Sequence, residues 1–184
     1  MTDPGSYTAT ERLRDGRTVE IRALHKDDRE DMLAAVGRTS GPSLQRRFFG
    51  IKRGFSDAET AFFVDIDFEK HVALVALLAE DERPAIVGGG RYVLVKDDEA
   101  ELAFLVIDAY QGQGIGRLLM KHLIALAKEK GLRALIAEVL PENAAMLRLF
   151  KDFGFSTVRP ARFQHGPSGF RAAMISATAP GSRR

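Results

Sequence analysis

The feature that most constrains this sequence is a strand-like stretch followed by a glycine-rich turn and a helix, within residues 99–130. Apolar residues alternate from Leu102 to Ile107, as in a β-strand, and from Ile115 onward they recur at helical spacing. Between them lies the turn Gln-Gly-Gln-Gly-Ile-Gly at 111–116. Glycines let a backbone approach an anion, and the free N–H groups at a helix N-terminus point towards it. The stretch therefore predicts a phosphate-binding loop.

The spacing of the glycines distinguishes three kinds of phosphate-binding loop. A dinucleotide fingerprint needs a glycine where Arg117 stands, and a nucleotide P-loop ends in Gly-Lys-Ser or Gly-Lys-Thr, which this turn lacks. The pattern Gln-x-x-Gly-x-Gly directly after a strand instead resembles the coenzyme A pyrophosphate loop of the GCN5-related N-acetyltransferases, the GNAT family. A glycine-rich connection that binds nothing stays the alternative interpretation.

Composition narrows the classes of protein further. The 184 residues are 45% hydrophobic, and 27 basic against 25 acidic residues give a net charge of +2. The length and hydrophobic content fit a single core, and the charge gives no indication of a basic surface for nucleic acid. There is no cysteine, and the histidines show no metal-site spacing, so we expect no disulfide, metal or cysteine nucleophile. The longest apolar run, 72–79, is too short for a membrane span, and the N-terminus lacks a signal segment. A cytoplasmic protein is expected.

The order of the remaining segments predicts an α/β fold with a mixed sheet. Two polar ends, residues 1–10 and 177–184, are expected to be flexible tails around a single domain at 11–176. Two successive βα units after a series of antiparallel strands predict one parallel pair. The glycines at 88–90 predict a bulge or a close approach of another group. Strands are predicted at 18–24, 71–78, 85–95, 102–107, 133–140 and twice within 155–176; helices are predicted from Lys26, within 40–49, from Ser56, from Ile115 and from Asn143 to Phe153.

Further segments extend the resemblance over roughly residues 12–155. The run IAEVLPENAAMLRLFKDFGF is similar to the second half of the GNAT signature. Together with TVEIRAL, SGPSLQRRFF, GGGRYVLV and AELAFLV, it is most similar to the acetyltransferase domain of bacterial Pat-type protein lysine acetyltransferases. The resemblance implies the GNAT fold: a mixed, mostly antiparallel sheet whose central parallel pair splays at the acetyl-CoA site, with helices on both faces. It also implies acetyl-CoA as co-substrate and transfer of acetyl to a primary amine such as a protein lysine.

Acetyl transfer to an amine requires a base. The pKa of a lysine is about 10.4, so a carboxylate must take up a proton before the amine can attack. The resemblance places the general base at Glu101, early on the strand before the loop. Glu99 on the same face and Glu138 on the next strand are alternates. An exposed strand carboxylate is the plain structural explanation of Glu101.

The coenzyme A contacts are predicted from the loop and the strand. Backbone amides of residues 111–117 would hold the pyrophosphate, and the strand edge would pair with the pantetheine arm as an added strand. An amide near Val106 would stabilise the oxyanion. The resemblance assigns Asn143 to the pantetheine arm, although a helix N-cap role also explains it. The predicted cofactor-binding residues are Leu105, Val106, Ile107, Gln111, Gly112, Gln113, Gly114, Ile115, Gly116, Arg117, Asn143 and Phe150.

One position departs from the family pattern. Many members carry a tyrosine in the last helix that protonates the leaving thiolate, and the matching residue here is Phe150. A thiol has a pKa of about 8.5, so coenzyme A can leave without a strong acid. Tyr92 and Tyr110 are the substitutes that the chain offers. Two alternatives stay open: an acetyltransferase for small amines, and a non-catalytic acyl-CoA sensor. The expected partners are acetyl-CoA and an acceptor protein, such as an acyl-CoA synthetase, or a small amine, with the chain as monomer or homodimer.

Overall fold

A seven-stranded sheet organises the fold. The computed structural model describes residues 3–43, 56, 61, 63–81, 83–140 and 142–156, and the backbone of 172–175. The strands neighbour one another in chain order, and every neighbouring pair is antiparallel except β5 and β6, which are parallel. This confirms the predicted mixed sheet. The strands are β1 Thr8–Arg12, β2 Thr18–Ala23, β3 His71–Glu80, β4 Arg83–Lys96, β5 Glu99–Val106, β6 Ala134–Glu138 and β7 Ala172–Ile175.

Helices cover both faces of the sheet, as predicted. One core cluster packs helices α2 (Ile115–Glu129) and α3 (Ala144–Asp152) against the sheet. It contains Phe104, Leu119, Leu123 and Phe150. A second cluster, on the opposite face, packs α1 through Ala35. The helices are α1 Arg29–Gly37, α2 Ile115–Glu129 and α3 Ala144–Asp152, with short 3-10 turns at Pro4–Ser6, Lys26–Asp28 and Asp108–Tyr110.

The alternation of β5 sets the direction of each side chain near the site. Leu102 and Phe104 are buried in the cluster beneath α2, while Glu101 is exposed. Since side chains alternate along a strand, Glu101, Ala103 and Leu105 lie on the face that carries α1. The periodicity read from the sequence is thus confirmed, and it separates an α2 face from an α1 face.

The N-terminal strand corrects the prediction of a flexible tail over residues 1–10. Thr8 and Thr10 lie in β1, which pairs with β2. Residues at both ends of β1 contact the buried His122 of α2. Tyr7, just before the strand, has its Oη 2.5 Å from His122 Nδ1, and Glu11, within the strand, has its Oε1 3.0 Å from His122 Nε2. The sequence of β1 is polar and has no apolar alternation, so its pairing partner and not its own pattern defines it as a strand.

Several predicted features lie outside the described residues. These are the part of the 40–49 segment beyond Ser43, the capping box from Ser56 to Glu59, the turn at 166–169 and the C-terminal tail at 177–184. Of the last predicted strand pair, the backbone of β7 is described, antiparallel to β6.

The three glycines of β4 accompany a bulge and a close helix contact. The register shifts between Ala76 and Leu77 of β3, where β4 carries one extra residue, Val87. At Gly90 a Cβ atom would lie 2.7 Å from Phe104 Cδ1 and 2.9 Å from Leu123 Cδ1. Both sequence interpretations therefore hold, and the group that approaches Gly90 is the protein's own core under α2.

Replacing Gly90 with alanine is expected to lower the free energy of unfolding by about 1–3 kcal/mol, because the added methyl group overpacks the contact with Phe104 and Leu123. Urea denaturation measures the difference. Gly89→Ala is the matched control, since its Cβ would approach nothing nearer than Leu74 O at 3.4 Å. Equal losses in both variants would contradict the steric explanation.

Candidate active site

The parallel strands β5 and β6 separate after a short stretch of pairing. Their register runs from Glu99 opposite Ala134 to Glu101 opposite Ile136, and β5 then continues to Val106 paired with β4 but no longer with β6. The separation opens a cleft of about 670 Å³ between β5, β6, the glycine loop and α3. The splay predicted for the parallel pair is present, and it exposes one edge of β5 to the cleft.

The glycine loop turns directly into α2. Gly112 and Gly114 have φ values of +74° and +96°, a conformation that costs other residues energy. Gly114 is the residue before α2, so the unpaired N–H groups of Ile115, Gly116 and Arg117 open the helix at the cleft. The positive end of the helix dipole adds to them. This geometry can hold an anionic group such as a pyrophosphate.

The side chain of Gln111 fixes the loop to the end of β5. Its Nε2 donates to Val106 O at 3.0 Å, to Asp108 Oδ1 at 2.9 Å and to Ser43 Oγ at 3.1 Å. Asp108 also accepts from Ser40 N at 2.5 Å and from the Ser43 hydroxyl. The sequence analysis missed Asp108 and Ser43, which together with Gln111 tie the loop to the segment after α1.

The open edge of β5 is offset from the predicted one. The Ile107 N–H donates to Val87 O of β4 at 3.0 Å. Backbone groups of an antiparallel strand point alternately to its two neighbours, so those of Leu105 also face β4, and those of Phe104 and Val106 face the cleft. Within the predicted edge, residues 105–107, the backbone of Val106 thus faces the cleft, and the N–H of Ile107 and the backbone of Leu105 face β4.

The cleft brings together most of the predicted residues. Ile107 and Gln113 are not among the lining residues: Ile107 is buried in the α1-side cluster, and the Gln113 side chain donates to Ala109 O at 2.9 Å and accepts from Arg17. Arg117 contributes its backbone at the loop, while its guanidinium pairs with Asp152. The predicted residues that line the cleft are Glu101, Leu105, Val106, Gln111, Gly112, Gly114, Ile115, Gly116, Arg117, Asn143 and Phe150.

Two of the three candidate base residues line the cleft. Glu101 and Glu138 are both exposed, on the two strands that separate. Glu99 lies away from the cleft lining and pairs with Lys96, whose Nζ is 2.9 Å from its Oε2. Of the three predicted candidates for the base, the structure therefore leaves Glu101 and Glu138 at the cleft; a further carboxylate of the lining, Asp152, is paired with Arg117.

The α3 side of the cleft has a capped helix and an aromatic cluster. Asn143 is the N-cap of α3, and its side chain accepts from Met146 N at 3.3 Å. Phe150 is buried, with ring centroids 6.3 Å from Phe104 and 5.0 Å from Phe155. The helix residue that lines the cleft at this place thus carries no hydroxyl group.

Neither tyrosine proposed as a substitute acid is well placed. Tyr92 is fully buried outside the cleft lining, and burial raises its pKa to about 12. Tyr110 lines the cleft, but its hydroxyl donates to Glu80, and that hydrogen bond raises the pKa of Tyr110. Both hydroxyl groups hold their protons more firmly than a free tyrosine does.

A buried histidine lies in the same row of the sheet as Glu101. Val93 of β4 is opposite His71 on one side and opposite Glu101 on the other. Arg91 Nη1 lies 3.0 Å from His71 Nε2, so the ring accepts there and is neutral. Burial, and then the Arg91 cation, lower the pKa of His71 to about 4.

This shift predicts a loss of stability in mild acid. Because the His71 pKa is lower in the folded chain than the unfolded value of about 6.5, the unfolded chain binds the proton first. The contribution of His71 to the free energy of unfolding is fully present above about pH 6.5 and is lost as the pH falls towards 4. The loss from this group is at most about 3 kcal/mol. Urea denaturation across that range should show a smaller loss for His71→Gln. Identical slopes for wild type and variant would contradict the assignment.

The described part of the chain offers neither a metal site nor a membrane-spanning helix. Those residues hold no group of three His, Cys, Asp or Glu side chains that could bind a metal ion. None of the described helices is long and apolar enough to span a membrane.

Comparisons with known proteins identify the family to which this sequence is similar. The sequence profile of the acetyltransferase (GNAT) family matches residues 42–155. An acetyltransferase of Pseudomonas aeruginosa is 36% identical over 146 residues, which is 79% of this chain and 78% of that protein. The acetyltransferase Pat of Mycolicibacterium smegmatis is 30% identical over 80% of this chain and 44% of its own length. The chain thus spans less than half of that Pat.

Solved structures give the same result for the fold. The crystal structure of the GNAT domain of S. lividans PAT superposes with a TM-score of 0.81 at 31% identity, covering 92% of this chain and 96% of that domain.

Proposed function

Because the chain belongs to the GNAT family of acetyltransferases, we propose that it transfers an acetyl group from acetyl-CoA to a primary amine, with a protein lysine as the acceptor and Glu101 as the general base. The observation that carries the proposal is the open edge of β5, which runs from Glu101 to the anion-binding loop within one cleft. Acetyl-CoA has a thioester at one end of its pantetheine arm and a pyrophosphate at the other, which fits this layout. Enzymes of this family use acetyl-CoA.

Binding is assigned mainly to the backbone. The N–H groups of Ile115, Gly116 and Arg117 hold the pyrophosphate at the start of α2. The Phe104 C=O and the Val106 N–H pair with the pantetheine amides along the open edge, as an added strand would. Gln111 holds the loop against the end of β5 through its hydrogen bond to Val106 O. The side-chain amide of Asn143, which lines the cleft, contacts the same arm.

The reaction is a direct transfer between the two substrates. Glu101 accepts a proton from the ammonium group, and the neutral nitrogen attacks the thioester carbonyl carbon. The carbonyl oxygen takes up the electron pair, and the Phe104 N–H, which faces the cleft on the Glu101 side of Val106, stabilises that oxyanion. The oxyanion then returns its electron pair to the carbonyl as the C–S bond breaks, and the second amine proton passes to solvent. Since Phe150 offers no proton, coenzyme A leaves as the thiolate, which a pKa of about 8.5 permits.

Two carboxylates on the separated strands favour a cationic acceptor. Glu101 and Glu138 are both exposed and line the cleft from β5 and β6, and this pair of negative charges attracts an ammonium group. The similarity to Pat-type protein lysine acetyltransferases makes an acyl-CoA synthetase the first acceptor protein to test, with small amines as the second class.

One observation favours a second candidate, a sensor that binds acyl-CoA without transfer. The buried Phe150 occupies the place of the usual acid, and neither Tyr92 nor Tyr110 replaces it. Such a sensor would keep the loop and the open strand edge and would need no base.

An acceptor panel separates the two candidates. Thiol release from acetyl-CoA is followed with acyl-CoA synthetases, polyamines and amino acids, and calorimetry measures acetyl-CoA affinity in parallel. We expect turnover with one acceptor, at a rate well above hydrolysis, and mass spectrometry should locate the acetyl group on an amine. Tight binding without turnover on any acceptor would support the sensor and reject the transferase.

A further inference from the structure

A second cavity lies on the α1 side of the sheet, beside the cleft. Its volume is about 70 Å³, and α1, β3, β4 and β5 enclose it. Ala103 and Leu105 of β5 line both this cavity and the cleft. Its wall is largely apolar, and Leu24, Met32, Ala35, Val75, Gly89 and Ile107 are among its lining residues.

Gly89 keeps this cavity open. Its neighbours Gly88 and Gly90 lie close to groups on the α2 side, where a Cβ at Gly88 would be 3.3 Å from Ile115 Cγ2. A Cβ at Gly89 would meet only Leu74 O at 3.4 Å and Val75 Cγ1 at 3.9 Å. Packing of the protein itself therefore does not require glycine at position 89. The absent side chain instead leaves room beside Ala103 and Leu105.

The cavity adjoins the place where the thioester would lie. The open edge of β5 presents Phe104 and Val106 to the cleft, and Ala103 and Leu105 alternate with them towards the α1 face. Ala103, which has only a methyl group, and Leu105 form the boundary between the two spaces. Among the described residues of the wall, Arg91 is the charged one, and it lies over the Phe63 ring at 4.5 Å and bonds to His71.

We propose that this cavity is an acyl-chain subsite, so that the chain accepts propionyl-CoA and butyryl-CoA as well as acetyl-CoA. The inference rests on the proposed function, because it places the acyl group at the open edge of β5. A cavity of about 10–15 Å³ already holds one water molecule, and a methylene group is of similar size, so about 70 Å³ has room for the two methylene groups that butyryl adds to acetyl. Each buried methylene strengthens binding by about fourfold.

The test compares acyl chains in three proteins. Calorimetry gives dissociation constants of acetyl-, propionyl-, butyryl- and octanoyl-CoA for wild type, Gly89→Ala and Ala35→Val. The two substitutions reduce the cavity from opposite walls, at the sheet and at α1. We expect wild type to bind butyryl-CoA at least as tightly as acetyl-CoA, and octanoyl-CoA more weakly. Each variant should lose about tenfold in butyryl-CoA affinity and change acetyl-CoA affinity by less than about twofold.

Three results would overturn the inference. Wild type that binds butyryl-CoA much more weakly than acetyl-CoA has no such subsite. If the variants lose affinity equally for all acyl-CoA thioesters, the substitutions have disturbed the cleft. If they change only the KM of the acceptor, the cavity binds the acceptor's side chain. Failure of every thioester to bind would instead reject the proposed function itself. Urea denaturation checks that both variants fold.

Discussion

Replacing Glu101 with glutamine is expected to lower kcat by a factor of about 10² to 10⁴ while acetyl-CoA affinity stays unchanged. Glutamine keeps the shape of the side chain but cannot accept a proton, so the acceptor remains an ammonium ion. Glu101 lies at the mouth of the cleft, away from the loop that holds the pyrophosphate, and binding of the cofactor does not need its charge. Thiol release at saturating substrates measures kcat, and calorimetry measures affinity.

Two other carboxylates provide matched controls for Glu101. Glu99→Gln changes a carboxylate two positions away that is paired with Lys96 outside the cleft lining, and kcat should be preserved. Glu138→Gln removes the other candidate base at the cleft and should affect the KM of the acceptor more than kcat. If Glu138→Gln loses more of kcat than Glu101→Gln, the base is Glu138.

Replacing Gly114 with alanine is expected to weaken acetyl-CoA binding by about 10-fold to 100-fold, the equivalent of one or two charge-assisted hydrogen bonds. The backbone at Gly114 has a φ of +96°, which alanine adopts only at a cost of about 1–2 kcal/mol. A chain that relaxes from this conformation turns the first N–H groups of α2 away from the pyrophosphate. A Cβ atom that stays would occupy the space above the loop.

The other end of α2 supplies the control for backbone strain. Gly131 follows this helix with a φ of +82°, and a Cβ there would meet nothing within 4 Å, as at Gly114. Gly131→Ala should therefore lower the free energy of unfolding about as much as Gly114→Ala, with acetyl-CoA affinity unchanged. Equal losses of affinity in the two variants would mean that helix stability and not the loop explains the effect.

The sequence predicted the parts of the fold that have strong local patterns. The apolar alternation of β5 and the apolar stripe of α2 are both found as read, because each buries one face against the same core. The positive φ values of Gly112 and Gly114 agree with the loop pattern. A short polar strand such as β1 has no such pattern, since its pairing with β2 and its contacts with His122 depend on residues far away in the chain.

The site was predictable where it depends on the loop and not where it depends on pairing. Which amides of β5 face the cleft is decided by the hydrogen bond from Ile107 to Val87, a register that no local pattern reveals. The contact between Asp108 and Ser43 joins residues 65 positions apart. Only a carboxylate directly after a strand could have pointed to Asp108, and such residues are common in loops.

The acyl-chain cavity also lay beyond sequence reasoning. The glycines of β4 were read as a bulge or a close approach, and both occur, at Val87 and Gly90. Gly89 is neither the bulge residue nor a site where another group approaches closely. Its role follows only from the space that it leaves beside Ala103, which depends on how α1 packs across the sheet.

A crystal structure of this protein with acetyl-CoA would test the central claim most directly. The account predicts the pyrophosphate at the N–H groups of Ile115, Gly116 and Arg117, the pantetheine arm paired with Phe104 and Val106, and the thioester next to the Glu101 side chain. Acetyl-CoA bound outside the space between β5 and β6, or with its thioester remote from both Glu101 and Glu138, would contradict the account.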